Sequence, residues 1–536
     1  MQSRSSLFTS LTFSSVAAVC LLAVSCLIAP AAWSQGVLTY RYTPQRTGLD
    51  PLETTLTHTN VNSSTFGKLF LLTVDGLVDA EPLYLYQTKI AGGTHNVLIV
   101  VTENDSVYAF DADTGAQYWK TSTLLTGETP SDDRNCDQVT PTIGITATPV
   151  ISKGVIYVVA MSKNSEGKYF QRLHALNATT GAEVYGGPVA ITGKYPGTGD
   201  NSQNGYVIFD PSQYKERSGL LLANNTIYLT WASHCDIRPY TGWVMGYNAT
   251  TLAQTTILNV TPNANEGAIW GSGGGLAYDG ASSIFLLDGN GVFDTTLTTA
   301  GFPSSGDYGN AFLRLSTKST GAIAVSGYFE MYNQDSENCC DVDLGSGAAL
   351  VLPNLTDATG KTWQLAAGAG KDGNLYIVNR NSMGKFNSTA NKIYQELPGV
   401  LGGGMWNSPA FANNTLYYGP VNSPILAFQF KNAKLATKAV AQTANSFGYP
   451  GATLVVSSNN GSNSIVWAVE NTNPGVLHAY AGYNLQELYN TNQASGGRDN
   501  FGVANKYATP TVANGKVYVP TTTGVGVFGL LSSGGK

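Results

Sequence analysis

The densest chemistry in this chain lies in residues 333–345. There Asp335, Glu337, Asp341 and Asp343 surround an adjacent cysteine pair, Cys339-Cys340. Carboxylates at this spacing in a glycine-bounded loop suit a hard cation such as calcium, which takes oxygen ligands. The plainer alternative is a solvated acidic loop. Adjacent cysteines can bond only through a strained eight-membered ring, and strained disulfides are often functional. Of the six cysteines, Cys20 and Cys26 lie in an N-terminal leader. Cys136, Cys235, Cys339 and Cys340 follow it, an even number for an exported chain. The favoured pairing is Cys136–Cys235 plus a 339–340 ring, with free thiols or long-range pairs as alternatives. His234-Cys235-Asp236 is a second loop candidate, whereas His174 lies on a strand and reads as structural. Serine-triad, phosphate-loop and zinc-ligand spacings are absent. Cys-x-x-Cys-His is absent too, so no covalent haem is encoded.

These loops need a scaffold, and residues 96–119, NVLIVVTENDSVYAFDADTGAQYW, show what it is. Two β-branched, apolar runs flank a polar turn at Glu103-Asn104-Asp105. A second turn, Asp111-Ala112-Asp113-Thr114-Gly115, leads into a strand carrying Trp119. This is an antiparallel meander of period two. Weaker copies contain Ile156-Tyr157-Val158, Ile227-Tyr228-Leu229, Leu375-Tyr376-Ile377, Leu416-Tyr417-Tyr418, Val466-Trp467-Ala468 and Val517-Tyr518-Val519, and a degenerate copy lies in 271–315. A lone four-stranded sheet cannot cover both of its faces, but radial stacking buries them. The expectation is an all-β chain, with one β-propeller of about eight four-stranded blades over residues 35–536. Residues 36–77 are expected to supply an outer strand to the last blade and so close the ring. Long loops at 120–147, 186–218, 291–310 and 326–346 interrupt the copies, and loops on a rigid scaffold carry function.

Composition agrees with a single β architecture: 60 Gly, 29 Tyr and 22 Pro, with only 12% charged residues. The net charge is −6 and there is no basic block, which argues against nucleic acid or an anionic membrane surface as partner. Residues 1–34 carry Arg4 as their one charge, then an apolar run and Pro30-Ala31-Ala32-Trp33-Ser34. This reads as a secretory signal cleaved near Ser34, too short for an anchor. Cys26 fits a lipoprotein site poorly, since Ala23 stands where a larger aliphatic residue is usual. No second apolar span follows, so a soluble periplasmic or secreted protein is expected.

Residues 108–119 resemble the repeat of pyrroloquinoline-quinone (PQQ) propellers. That family includes exported quinoprotein alcohol dehydrogenases and propellers that bind no quinone. Phe285-Leu286-Leu287-Asp288-Gly289-Asn290-Gly291 and Gly306-Asp307-Tyr308-Gly309-Asn310 resemble the dehydrogenases more closely. The resemblance implies that Asn290 gives an amide oxygen to calcium and that Asp307 is the catalytic base beside the metal. Asp236 falls near the family's calcium-binding glutamate. Asp341 and Asp343 fall in an acidic run that also suits the metal. Lys371, in Gly370-Lys371-Asp372-Gly373-Asn374-Leu375-Tyr376, matches a basic residue of the family. Lys371, Trp270 and the vicinal pair Cys339 and Cys340 are the implied cofactor contacts. PQQ and calcium are the implied cofactors, with small alcohols or sugars as substrates. Calcium would polarise the quinone carbonyl, and Asp307 would take the alcohol proton while hydride passes to the quinone. Trp231, Trp243, Trp406 and Trp270 itself also read as blade packing. Two features depart from the dehydrogenases. Residues 135–146 carry one cysteine and no matching arginine, and Gly273 and Gly275 stand where a tryptophan floor is expected. They keep a second reading open, a non-catalytic propeller that binds an envelope protein or glycan through its loop face.

Overall fold

A computed structural model of the chain describes residues 36–317 and 321–532. The signal read in residues 1–34 lies outside the described residues. Eight antiparallel sheets follow one another, spanning 83–122, 150–190, 221–259, 277–329, 350–397, 410–442, 453–490 and 511–530, here blades 1 to 8. Blade 8 has only three strands of its own. Its fourth is Phe66–Thr73, which pairs antiparallel with Gly524–Leu530. The expected eightfold ring and its N-terminal closure are both present.

The repeat follows from its turn residues. In blade 1 the Asp111 carboxylate accepts the backbone N–H groups of Asp113 and Thr114, at 2.9 and 2.8 Å. Asn177 and Asn248 do the same for Thr179 and Thr180, and for Thr250 and Thr251. Such a side chain imitates a backbone turn, which is why Asp or Asn opens each Asx-x-x-Thr segment. Gly181 closes one of these turns at φ +69, where a Cβ would strike the Trp119 ring of the preceding blade. The Trp119 indole donates to the Ala178 carbonyl of the same turn, at 3.2 Å.

Several strand tyrosines of the repeat reach into the next blade, whereas Tyr376 turns to Asp372 of its own blade. Tyr157 donates to the Ala249 carbonyl (2.6 Å), Tyr228 to Gly321 (3.0 Å) and Tyr417 to Gly482 (2.7 Å). Tyr518 of blade 8 donates to Ala112 of blade 1 at 3.4 Å, so the same stitch joins the two ends of the ring. Buried Trp231, Trp243 and Trp467 fill blade interiors, as expected for the first two.

Residues 37–48 do something the repeat did not foretell. They run from blade to blade along the innermost strands. Val37 pairs with Tyr84 of blade 1, and the Leu38 carbonyl accepts Ile151 N–H of blade 2, at 2.7 Å. Pro44, Gln45, Thr47 and Gly48 carbonyls accept Tyr278, Val351, Phe411 and Val456 of blades 4 to 7, at 2.7 to 3.0 Å. The Arg46 guanidinium reaches the Leu220 carbonyl beside blade 3, and the Tyr42 hydroxyl accepts Val512 N–H of blade 8. Arg41 and Arg46 are fully buried in this segment, held mostly by backbone carbonyls. The segment therefore closes the axis of the ring.

Candidate functional site

The loops that lead into and out of the innermost strands enclose a cavity of about 370 Å³. Six of the residues expected at the site, Asp236, Trp270, Asn290, Asp341, Asp343 and Lys371, line it. Trp270 comes from the loop before blade 4 and Asn290 from the turn after that blade's second strand. Asp341 and Asp343 follow the one short helix of the region, Gln334–Asn338, and Lys371 sits on a hairpin of blade 5. Gly291 N–H donates to Asn338 Oδ1 at 2.6 Å, which ties the Asn290 turn to that helix.

These side chains form one hydrogen-bonded set. Lys371 Nζ lies 2.5 Å from Asp341 Oδ1 and 2.7 Å from Asp343 Oδ1. Trp270 Nε1 donates to Asp343 Oδ2 at 3.1 Å, and Asn290 Nδ2 to Asp341 Oδ1 at 2.7 Å. The Lys371 ammonium also stands 5.6 Å from the Trp270 ring centroid. Asp343 is 1% exposed, and burial pushes its carboxyl up while Lys371 holds it down. Burial works against the Lys371 charge, but Asp343 and Asp341 together outweigh it and the ammonium is held above its usual range. Asn290 Oδ1 is buried without a hydrogen-bond partner.

Asp236 belongs to a separate set. Its Oδ1 accepts the hydroxyls of Ser233 and Tyr240, at 3.0 and 2.8 Å. The adjoining Cys235 is bonded to Cys136, as expected, and this bridge ties the 120–147 loop to the cavity wall beside Gln138.

Three expectations are corrected. Asp307 does not line the cavity: its Oδ1 accepts Asn263 N–H at 2.8 Å within a neighbouring loop, and burial raises its carboxyl. Cys339 and Cys340 are free thiols rather than a ring, with sulfurs 2.9 Å apart. They are exposed at the end of the short helix, so they make no cavity contact. The five expected calcium ligands are not gathered. Among the described residues no group of three His, Cys, Asp or Glu side chains could hold a metal, and the cation between Asp341 and Asp343 is Lys371. Calcium needs six to eight oxygens, which this set does not offer.

Sequence reasoning missed the rest of the lining. Lys215 lies on the strand that precedes blade 3 and Arg217 directly follows it. Trp406, Tyr449 and Tyr507 come from the loops before blades 6, 7 and 8. Trp406 is thus a cavity residue rather than blade packing alone. Alternation could have exposed Lys215 and Arg217, since two cations at i and i+2 in a chain this poor in charge share one face of a strand.

The fold and its loop-built axial cavity define an eight-bladed β-propeller. Residues 78–190 match the family model described as outer membrane protein assembly factor BamB. The quinohemoprotein alcohol dehydrogenase of Comamonas testosteroni superposes with a TM-score of 0.63 at 13% identity, covering 95% of this chain and 82% of that one. The quinohemoprotein alcohol dehydrogenase ADHIIG of Pseudomonas putida HK5 gives 0.60 at 13%, covering 92% and 76%. A europium-containing methanol dehydrogenase gives 0.61 at 12%, covering 91% and 90%. At these identities the likeness is one of fold. Comparison with curated protein sequences gives no match. The chain is a β-propeller, and residues 78–190 of it match the PQQ-type repeat model. Among the described residues no helix is long and apolar enough to cross a membrane.

Proposed function

We propose that the protein is a quinone-dependent oxidoreductase that holds PQQ in the axial cavity and oxidises a small alcohol or sugar. The observation that carries this reading is the convergence of Trp270, Asn290, Asp341, Asp343 and Lys371 on one cavity wall. An indole face beside an ammonium suits a flat, carboxylated ring system. Trp270 and Lys371 would hold that ring, and the unspent Asn290 Oδ1 would accept a ligand hydrogen bond. When bound, PQQ supplies a two-electron acceptor for hydride. Asp236 is the cavity carboxylate without a cationic partner, so it is placed to take the substrate hydroxyl proton. No step is assigned to calcium. The leader and the Cys136–Cys235 bridge support a periplasmic or secreted location. The mass of the N-terminus on exported protein checks that placement.

The test is reconstitution with PQQ, desalting, quinone absorbance, and alcohol-dependent dye reduction. Asp236→Asn should keep the quinone and lose dye reduction, by roughly a hundredfold or more if it is the base. Asp307→Asn should change neither. Quinone lost on desalting from the wild type would remove this reading. It would favour a scaffold that binds an envelope protein or glycan through its loop face, a reading that the match of residues 78–190 supports.

A further inference from the structure

We propose that the cavity has a carboxylate-binding end, built by Lys215 and Arg217, that takes a flat aromatic acid. This inference rests on geometry and does not need the quinone chemistry above. Lys215 lies on the short strand Tyr214–Glu216 and Arg217 directly follows it, and both line the cavity. They are 3% and 4% exposed. The carboxylates that act on the Lys215 charge are Glu103 and Asp79. The Arg217 Nε is buried without a partner, while its Nη2 makes a long ion pair with Asp79 Oδ1 at 3.4 Å.

Cations crowd this end. Lys506, which donates to cavity residue Gln138 at 2.7 Å, adds a third cation facing Arg217. The carboxylates facing them are Asp79 and Glu103, with Asp137 near Lys506. Burial, and then the neighbouring Asp79 charge, push the Glu103 carboxyl well above its usual range, which weakens its negative charge. Burial and the neighbouring Arg217 lower the Lys215 amine to about 7. Buried cations with unspent donors are costly, and an anionic ligand removes that cost. A guanidinium and an ammonium side by side match a carboxylate.

The adjoining wall says what carries the carboxylate. Arg217 lies over the Tyr507 ring at 4.8 Å, Tyr507 shares a hydroxyl hydrogen bond with Tyr449 at 2.6 Å, and Tyr449 meets Trp406 edge-on at 5.7 Å. An aromatic strip ending in two cations favours a flat ring bearing an acid. That acid is either a carboxylate of the quinone cofactor or an aromatic acid substrate.

Calorimetry on the full protein uses isophthalate as probe and its neutral diamide as control. The wild type should bind isophthalate and not the diamide. Lys215→Met and Arg217→Leu should each weaken binding by about tenfold or more, Lys215→Arg should restore it, and Lys89→Met on the outer surface should leave it unchanged. Melting curves confirm that each variant is folded. Should the neutralising variants fail to fold, the isophthalate–diamide difference in the wild type and its retention in Lys215→Arg still decide. Equal binding of both probes, no binding of either, or wild-type affinity in the folded neutralised variants would overturn the proposal. Displacement of isophthalate by PQQ assigns this end to the cofactor, and simultaneous binding assigns it to a substrate. Isophthalate binding that depends on Lys215 and Arg217, with no PQQ binding, would remove the quinone reading and keep this one.

Discussion

Replacing Arg46 by methionine tests whether residues 37–48 close the ring. The guanidinium donates to Leu276 O and Tyr40 O at 2.8 Å, to Thr39 Oγ1 at 2.8 Å, and to Leu220 O at 3.0 Å. Hydrogen bonds to a charged group contribute roughly 1.5–3 kcal/mol each, so the gross loss is on the order of 6–12 kcal/mol. Burying the guanidinium is itself unfavourable and pulls it down to about 10, which offsets about 3 kcal/mol. The net cost should be at least about 3 kcal/mol, the lower end of what these figures leave. Urea unfolding, followed by tryptophan fluorescence, should show a midpoint lower by about 1 M for an m of a few kcal/mol/M. Arg238→Met, at a half-exposed ion pair with Asp200, should cost less than about 1 kcal/mol. An Arg46 variant with a midpoint within about 0.3 M of the wild type, at unchanged m, would refute the closing role.

Other outcomes follow from the same contacts. Cys136 and Cys235 are 99 residues apart, so reducing their bridge should lower stability by about 4–5 kcal/mol, seen as a lower melting temperature with reductant. An unchanged melt would show that the loop is held without it. Glu81 is fully buried and its carboxyl is raised to about 8. Its contribution is therefore complete below about 4.5 and is lost as pH rises toward about 8. Glu81→Gln should flatten the urea midpoint across that window, and a slope equal to the wild type would contradict the assignment. Lys371→Met leaves Asp343 buried with the Trp270 indole as its remaining side-chain donor. It should lose retained quinone and shift tryptophan emission, and full quinone retention would exclude Lys371 as a cofactor contact.

The blades were legible because their information is local. Period-two alternation and Asx-x-x-Thr turns lie within a few residues of one another, and the ring follows from stacking them. The axial segment was not legible, because its hydrogen bonds use backbone carbonyls at Leu38, Pro44, Gln45, Thr47 and Gly48 that leave no trace in side-chain type. The site was half legible. Trp270, Asn290, Asp341, Asp343 and Lys371 were recognised by motif, and they do meet. Asp307 was misplaced because Gly306-Asp307 keeps the motif while its carboxylate turns to the Asn263 backbone. The Lys215 end was invisible to motif reading, since its partners Tyr449 and Tyr507 lie more than two hundred residues away in sequence.

The pairing of Phe66–Thr73 with Gly524–Leu530 sets the order in which the molecule can be finished. A nascent chain presents its earliest strand long before the partner exists, so that strand must wait with bare edge groups while seven blades assemble. Until the last residues arrive, the molecule is an open arc whose two ends invite pairing with a second chain. Assembly is therefore gated at its final step, and a chain stopped a few residues early would be an aggregation hazard rather than a slightly shorter protein.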